Sequence, residues 1–298
     1  MKRFYLGVSL ILLLSHTINA QDYIDLVKFS YNNTTFDNGD SNAETEASNT
    51  YLEVYVPLPV TSKTVVIGGF TYENTRLGLN FTDDRSNLIM TRLNAGIKRD
   101  HGNKWSGTYI VLPKLASDFD DLGSEDFQIG GLALLEKRYS SSYSLKFGSY
   151  FSTENFGTTL TPLVGLWYKS DNDKFYINAV LPIRTDIKYS FTEAFGVGAN
   201  LITSIKSYHL TQTIDDLYVQ EESIRFALFA AYGFFDDTLI IRGKAGLDTT
   251  DFGVYNQNDT VGLQILTFQV GGDDRIRLNS EFETAPFFGI DLIFRGSL

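Results

Sequence analysis

The residues that could do chemistry in this chain are few, and the first candidate is a histidine. His209 follows Ser207 at a spacing of two, and the acidic residues Asp215 and Asp216 come shortly after. A serine hydrolase needs a histidine base beside its serine and an acid that orients the base. A solvated histidine at a strand end is the simpler interpretation, so a hydrolase at the outer rim is kept only as a remote alternative. The other candidate base, His101, falls in a short turn.

The sequence contains no motif typical of a metal or cofactor site. The chain has no cysteine, and its histidines do not show the H-x-x-x-H spacing of a zinc site. Paired glycines such as Gly68-Gly69 precede no helix and are not a phosphate loop. We therefore predict no catalytic residue, no metal site, no cofactor and no enzymatic activity.

Acidic residues form clusters in polar stretches. Carboxylate clusters bind hard divalent cations and could bridge to lipopolysaccharide phosphates, but solvated loops are the commoner explanation. The clusters are Asp118, Asp120, Asp121, Glu125 and Asp126; Asp215, Asp216, Glu221 and Glu222; and Asp273 and Asp274.

Several predicted strands carry a basic residue at a position that alternates with the apolar ones. If the apolar positions face lipid, the alternate positions line an interior. The predicted lining bases are Lys28, Arg92, Lys146, Lys188, Lys206, Arg225, Arg242 and Lys244, and the acids on the same face are Glu53, Glu73, Glu136 and Asp291. Such a lining predicts either a conduit or pocket for anionic solutes or an internal network of salt bridges that fills the barrel.

The elements that would position these residues are β-strands, and the last one is the clearest. In FFGIDLIF, residues 287 to 294, the apolar side chains Phe288, Ile290, Leu292 and Phe294 alternate with Gly289 and Asp291. A terminal strand of this kind is typical of outer-membrane β-barrels, where it pairs with the first strand and removes both sheet edges.

Connections alternate between short turns and longer polar stretches, as in barrels of the outer membrane. The predicted long outward loops are residues 32–48, 115–125, 210–222 and 248–260. An all-β, antiparallel transmembrane β-barrel with an even number of strands follows. Fourteen strands result if residues 174–182 and 186–191 form a hairpin, twelve if they form one bent strand, and residues 261–282 could be an outward hairpin extension. A soluble β-sandwich is the alternative, against which the alternating loop lengths and the aromatic residues at strand ends argue.

The N-terminus predicts export. Lys2 and Arg3 precede the apolar run from Leu6 to Leu14, and Ala20 ends a stretch typical of a cleaved signal peptide. We therefore divide the chain into a signal peptide, residues 1–20, and a barrel domain, residues 21–298, in the outer membrane of a Gram-negative bacterium. The formal net charge of −11 argues against a nucleic-acid partner.

Four segments resemble those of a family of uncharacterised Gram-negative outer-membrane β-barrel proteins. They are DLVKFSYNNT (25–34), KWSGTYIVLPKLASDF (104–119), GGLALL (130–135) and GGDDR (271–275). The resemblance implies the fold and the location, and it implies no substrate or catalytic residue.

The functional prediction is a monomeric passive channel or ligand-binding, porin-like protein. Its basic lumen would favour anions, mainly through Arg92, Lys206, Arg225 and Arg242. The alternative is a structural or surface-interaction barrel with a filled, non-conducting lumen. Expected partners are outer-membrane lipid, lipopolysaccharide and the barrel-assembly machinery, the last through the C-terminal strand.

Overall fold

A computed structural model describes residues 23–38, 43–79, 86–211, 216–265 and 268–297. The predicted signal peptide and Asp215 lie outside these ranges. Within them, no helix is long and apolar enough to cross a membrane.

Most described residues belong to β-strands. A 3-10 turn at Ser124–Asp126 interrupts the strand pattern. The strands are β1 (Tyr23–Asn38), β2 (Ala43–Thr61), β3 (Thr64–Leu77), β4 (Ser86–Gly102), β5 (Trp105–Ser117), β6 (Phe127–Arg138), β7 (Tyr143–Glu154), β8 (Gly157–Lys169), β9 (Phe175–Leu181), β10 (Arg184–Ser190), β11 (Phe195–Leu210), β12 (Leu217–Phe234), β13 (Leu239–Asp248), β14 (Asp251–Asn256), β15 (Gly262–Ile265), β16 (Phe268–Val270) and β17 (Ala285–Ser297).

Fourteen of these strands close into an antiparallel barrel. Each of β1 to β12 pairs with the next along the chain, β13 pairs with β17, and β17 closes on β1 from Tyr23–Ser297 to Thr34–Phe287. β14 continues β13, because β12 pairs with β13 along one half of its length and with β14 along the other. The prediction of a fourteen-stranded barrel is confirmed. The twelve-strand alternative is wrong, because β9 and β10 form a hairpin around Pro182 and Ile183.

The outward face carries an exposed apolar belt. In β17, Phe288 and Phe294 are 68% and 47% exposed, while Asp291 between them is fully buried. Exposed apolar side chains likewise alternate with more covered ones in β12 and β6. Because a closed barrel leaves no unpaired sheet edge, such a belt is suited to the hydrocarbon layer of a membrane. We call the end with the chain termini and short turns the periplasmic end.

The predicted outward loops are too long. β1 and β2 extend their pairing as far as Asn38 and Ala43, so the predicted loop 32–48 is mostly hairpin. Likewise β5 reaches Ser117, β12 begins at Leu217, and β14 occupies Asp251–Asn256, inside the stretches predicted as loops 115–125, 210–222 and 248–260. Backbone pairing with neighbouring strands overrides the polar composition of these segments.

The outer parts of β11 and β12 leave the wall and enter the barrel together with β14. β9 and β10 are only 7 residues each, so β11 beyond Ile202 has no neighbour on that side within the wall. One face of this inserted sheet (203–210, 217–222 and 251–256) packs on the inner face of β1 to β5. Tyr208, Val219 and Phe252 meet Phe36 and Leu88 there in one buried cluster. At its tip His209 pairs with Ser117 of β5.

The opposite face of the inserted sheet is also covered. Ser207 contacts β6 through Gln128 and β7 through Glu154, whose Oε2 lies 2.7 Å from the Ser207 amide nitrogen. The hairpin β15–β16 pairs in parallel with the free edge of β8, confirming a hairpin within residues 261–282. Gly157 has a φ of +132° there, and a Cβ would stand 2.4 Å from the Gly262 carbonyl oxygen, so only glycine permits this close approach. The outer end of the barrel is thus filled by protein.

Candidate functional site

Ion pairs between the inserted sheet and the wall form an upper network. Lys206 Nζ lies 2.6 Å from Glu73 Oε2 and 3.2 Å from Glu221 Oε1. Beside them, Arg225 Nε donates to Asp248 Oδ2 at 2.9 Å. Side chains hydrogen-bond the remaining oxygens: Asn49 donates to Glu73, and Tyr208 donates to Glu221. These charges are buried and paired, as burial of charge requires.

A lower network follows towards the periplasmic end. Asp291 is its centre: Lys244 Nζ lies 2.6 Å from Oδ1, and Lys28 Nζ and Arg242 Nη1 each lie 3.8 Å from Oδ2. Arg242 also approaches Asp186 at 3.3 Å, and its guanidinium stacks 4.0 Å above the ring of Phe229. Arg184 Nε completes the lower network with a 2.7 Å bond to Asp186 Oδ2.

The lumen remains accessible beneath the inserted sheet. The Arg184 side chain is 40% exposed although it belongs to the inward face of β10, where its neighbour Asp186 is 14% exposed. Glu53 and Tyr51 of β2, within electrostatic reach of Arg184, are likewise only partly buried. These inward side chains therefore border unfilled space at mid-height, and we call this space the mid-lumen chamber.

The opposite wall of this chamber is apolar. The inward positions of β5 to β8 include Ile110, Leu132, Leu134 and Tyr150, all partly exposed, and the buried Leu163. Pairing registers, followed around a barrel with tilted strands, bring these residues to the height of Arg184. The chamber thus has one charged wall and one apolar wall.

The periplasmic end of the lumen is narrowed by aromatic side chains. Tyr23 of β1 and Tyr176 of β9 meet across the barrel with ring centroids 6.2 Å apart, and Trp167 stacks edge-on against Tyr176 at 6.4 Å. Beside this bridge a polar vestibule of about 280 Å³ is lined by inward residues of β3 to β6, including Lys98, Asp100 and Glu136.

The residues predicted to line the lumen all fall on the inward face of the barrel. The two networks bring together Lys28, Lys206, Arg225, Arg242, Lys244 and Asp291. Lys146 lies apart from them and donates to Asn178 Oδ1 at 2.7 Å, while Lys188 lies near Asp237 and Arg295 at the periplasmic end. Arg92 donates to Asn94 and Thr71, and Glu53 faces the chamber. Whether any of them binds a solute stays a prediction.

Several charged residues of the lumen escaped the sequence analysis. Arg184 and Asp186 share the parity of Lys188, so alternation could have found them. Glu221 and Asp248 were assigned to outward loops, and that assignment is wrong, because both belong to strands and bind lumenal bases. Lys114 and Glu154 form a further buried pair at 2.6 Å. The interior is therefore closer to charge balance than predicted.

His209 lies at the tip of the inserted sheet between two carboxylates. Its Nδ1 is 3.0 Å from Asp126 Oδ1, and its Nε2 is 2.8 Å from Asp216 Oδ1. Both ring nitrogens are thereby engaged, and the buried Ser207 hydroxyl donates to Glu154 instead. A hydrolase would need the imidazole directed at its serine, which this arrangement does not provide.

Members of the acidic clusters accept hydrogen bonds from other residues or pair with a base. Asp118 accepts from Thr211, Asp126 accepts from the Gly123 amide, and Asp273 pairs with Arg275 at 2.7 Å. In the ranges that the structure describes, no three histidine or acidic side chains are grouped as metal ligands.

Comparison with known proteins finds likeness at the level of fold. No protein-family model matches the chain, and no curated protein matches it. The COG4313 outer membrane channel from Pseudomonas putida F1 is 11% identical, with a TM-score of 0.48, over 95% of this chain and 100% of that one. The closed antiparallel barrel itself rests on the strand pairing described above.

Two further solved barrels are similar. The NanC porin is 7% identical over 90% of this chain and 98% of its own, with a TM-score of 0.39. The P. putida toluene transporter TodX is 11% identical over 92% and 91%, with a TM-score of 0.37. Likeness at this level carries no argument about the role or the solute of this chain. The resemblance to the uncharacterised family stays a prediction.

Proposed function

We propose that the protein is a channel of the outer membrane that is closed in this conformation by the inserted sheet and passes small anionic solutes when that sheet moves. The observation that carries the proposal is the mid-lumen chamber, an unfilled space lined by charged side chains beneath a closure made of β-strands. A barrel with a purely structural interior has no need for an accessible arginine at its centre.

The preference for anions rests on the charges around the chamber. The bases Lys28, Arg92, Arg184, Arg242 and Lys244 outnumber the acids Glu53, Asp186 and Asp291 on this part of the inward face. Charges inside a narrow, low-dielectric wall are screened less than those of exposed loops, so the interior should set the selectivity. Lys206 and Arg225 contribute less than predicted, because Glu73, Glu221 and Asp248 neutralise them.

A filled, non-conducting barrel is the second candidate. It is favoured by the burial of the upper network and by the contacts on both faces of the inserted sheet. In this case the ion pairs would serve stability, and surface interactions would carry the function.

A reversible lock separates the two candidates. Since the chain has no cysteine, Ser117→Cys with His209→Cys would introduce a disulfide between strands that already pair at these positions. In planar bilayers, the oxidised double variant should be silent and the reduced one should conduct, with reversal potentials in a salt gradient that indicate anion preference.

The two single-cysteine variants are the matched controls, because each perturbs the tip without a lock. Equal silence of wild-type, oxidised and reduced proteins under all voltages would reject the channel and favour the filled barrel. A conducting but cation-selective protein would reject the anionic solute alone.

The surroundings of the protein follow from the same proposal. The apolar belt would contact outer-membrane lipid, the outward strand ends would face lipopolysaccharide, and β17 would be the strand that the barrel-assembly machinery recognises. A single chain closes the barrel, which suits a monomer. Cross-linking in native membranes would test the last point.

A further inference from the structure

The mid-lumen chamber presents two walls of opposite character to the same space. On one side stands Arg184 with Glu53 and the lower network, and on the other stand Leu132, Leu134 and Tyr150. In a lumen filled by water alone, the apolar wall would remain hydrated at a cost. In a lumen that binds only inorganic ions, that wall would have no partner.

Arg184 has hydrogen-bonding capacity left over. One bond from Nε goes to Asp186, while the side chain stays 40% exposed inside the barrel. A guanidinium has five N–H donors in a planar fork that matches a carboxylate. Its partner Asp186 has a second base in Arg242, so the carboxylate would keep its ion pair if Arg184 turned to a ligand.

Half-buried apolar side chains opposite an arginine select an amphipathic ligand. The partial exposure of Ile110, Leu132 and Leu134 on an inward face leaves apolar surface that a hydrocarbon or aromatic group can cover. A neutral hydrocarbon would cover the apolar wall but offer no acceptor to the free donors of Arg184. An inorganic anion would accept from Arg184 but leave the apolar wall uncovered.

We propose that the mid-lumen chamber is a binding site for a small organic anion, a carboxylate with an apolar body. Its carboxylate lies on Arg184 and its apolar part lies on Leu132, Leu134 and Tyr150. This inference rests on the proposed channel function, since it names the class of anion, but binding at the site requires no conduction.

Trp167 offers a direct readout. It lies on the inward face of β8 beside Tyr176, and the other tryptophan of the chain, Trp105, lies near a periplasmic turn. Trp105→Phe gives a single-tryptophan protein whose fluorescence is titrated with hexanoate, hexan-1-ol and acetate in detergent. Hexanoate should bind at least about tenfold more tightly than either of the other two probes, the step that one good charge-assisted contact provides.

Substitutions on each wall test its separate contribution to binding. In this background Arg184→Gln should weaken hexanoate binding about tenfold, to the level of hexan-1-ol, and Arg184→Lys should restore part of it. Leu132→Asn should weaken both six-carbon probes and leave acetate unchanged. Arg76→Gln removes an arginine from the outer end of β3, hydrogen-bonded to Asn87, and should change nothing. The gel-mobility shift between heated and unheated samples verifies folding of each variant.

Equal affinity for hexanoate and hexan-1-ol, or hexanoate binding that ignores Arg184→Gln in a folded barrel, would overturn the site. Conductance without hexanoate binding would leave the channel standing and remove the ligand class. Binding in a protein that never conducts would keep the site and reject the channel.

Discussion

At the scale of residues, a few buried carboxylates each interact with more than one base of the interior. Asp291 is fully buried and contacts Lys28, Arg242 and Lys244, so one carboxylate partly neutralises three bases. Alternation in the sequence placed these bases on one face. It could not reveal which acid each would meet, because the partners come from strands far apart in the chain, as Glu73 and Lys206 do.

Asp291→Asn should destabilise the barrel strongly. The substitution leaves three lumenal bases without their common counter-charge, and breaking a buried ion pair on one side typically costs about 3–5 kcal/mol. Urea unfolding in lipid vesicles measures the loss. Asp120→Asn in an exposed turn is the control, expected within about 0.5 kcal/mol of wild-type. A loss at Asp291 no larger than that of the control would mean that water reaches the lower network freely.

His209 should make the inserted sheet sensitive to pH. It lies beyond the apolar belt, which ends on β12 at Ile224, the partner of Thr203. Burial alone would lower the pKa of His209, but its hydrogen bonds and charge interactions with Asp216 and Asp126 outweigh burial and raise it. An imidazole can donate to both carboxylates only when protonated.

The sign follows from the raised pKa. The stabilisation from His209 is fully present below the unfolded-state pKa of about 6.5 and is lost as the pH rises through the higher folded value. The stability difference between wild-type and His209→Gln, measured by urea unfolding, should therefore be larger at pH 5.5 than at pH 9. Asp216→Asn should reduce this dependence. A difference that grows with pH would contradict the assigned protonation.

At the scale of elements, strand existence was predictable and strand length was not. Segments such as β17 are recognisable in the sequence because one face contacts lipid and the other lines the lumen, so apolar and polar residues alternate with a period of two. The outer part of β12 carries Gln220, Glu221 and Glu222 in succession and therefore resembles a loop. Both of its faces are covered by protein inside the barrel, an environment for which sequence alternation gives no signal.

The assigned faces predict unequal tolerance along one sheet. Leu292→Arg should hinder insertion, because an arginine facing hydrocarbon near the midplane costs about 2–4 kcal/mol. Asn200→Ser should be mild, since Asn200 is 3% exposed on the lumenal face, next to Asp186 of β10, and serine stays polar there. Folding yield into vesicles is the measurement, and equal yields would contradict the register.

At the scale of the whole molecule, the barrel is closed at its outer end by its own strands. The wall strands supply both the barrel and its closure, since β11 and β12 pass from the wall into the lumen and β13 continues there as β14. Composition and loop pattern predicted a closed membrane barrel. They could not predict the inward fold of β11, β12 and β14, which depends on the shortness of the β9–β10 hairpin and on contacts with β1 to β5.

The seam between β1 and β17 has a consequence for how the molecule forms. Asp25 and Arg295, bonded across it at 2.7 Å, are 270 positions apart in the chain. Contacts of such separation are made late and slowly, because a long loop must be closed before they contribute. The ring can therefore close only after nearly the whole polypeptide is available, and until then the edges of the first and last strands remain unpaired.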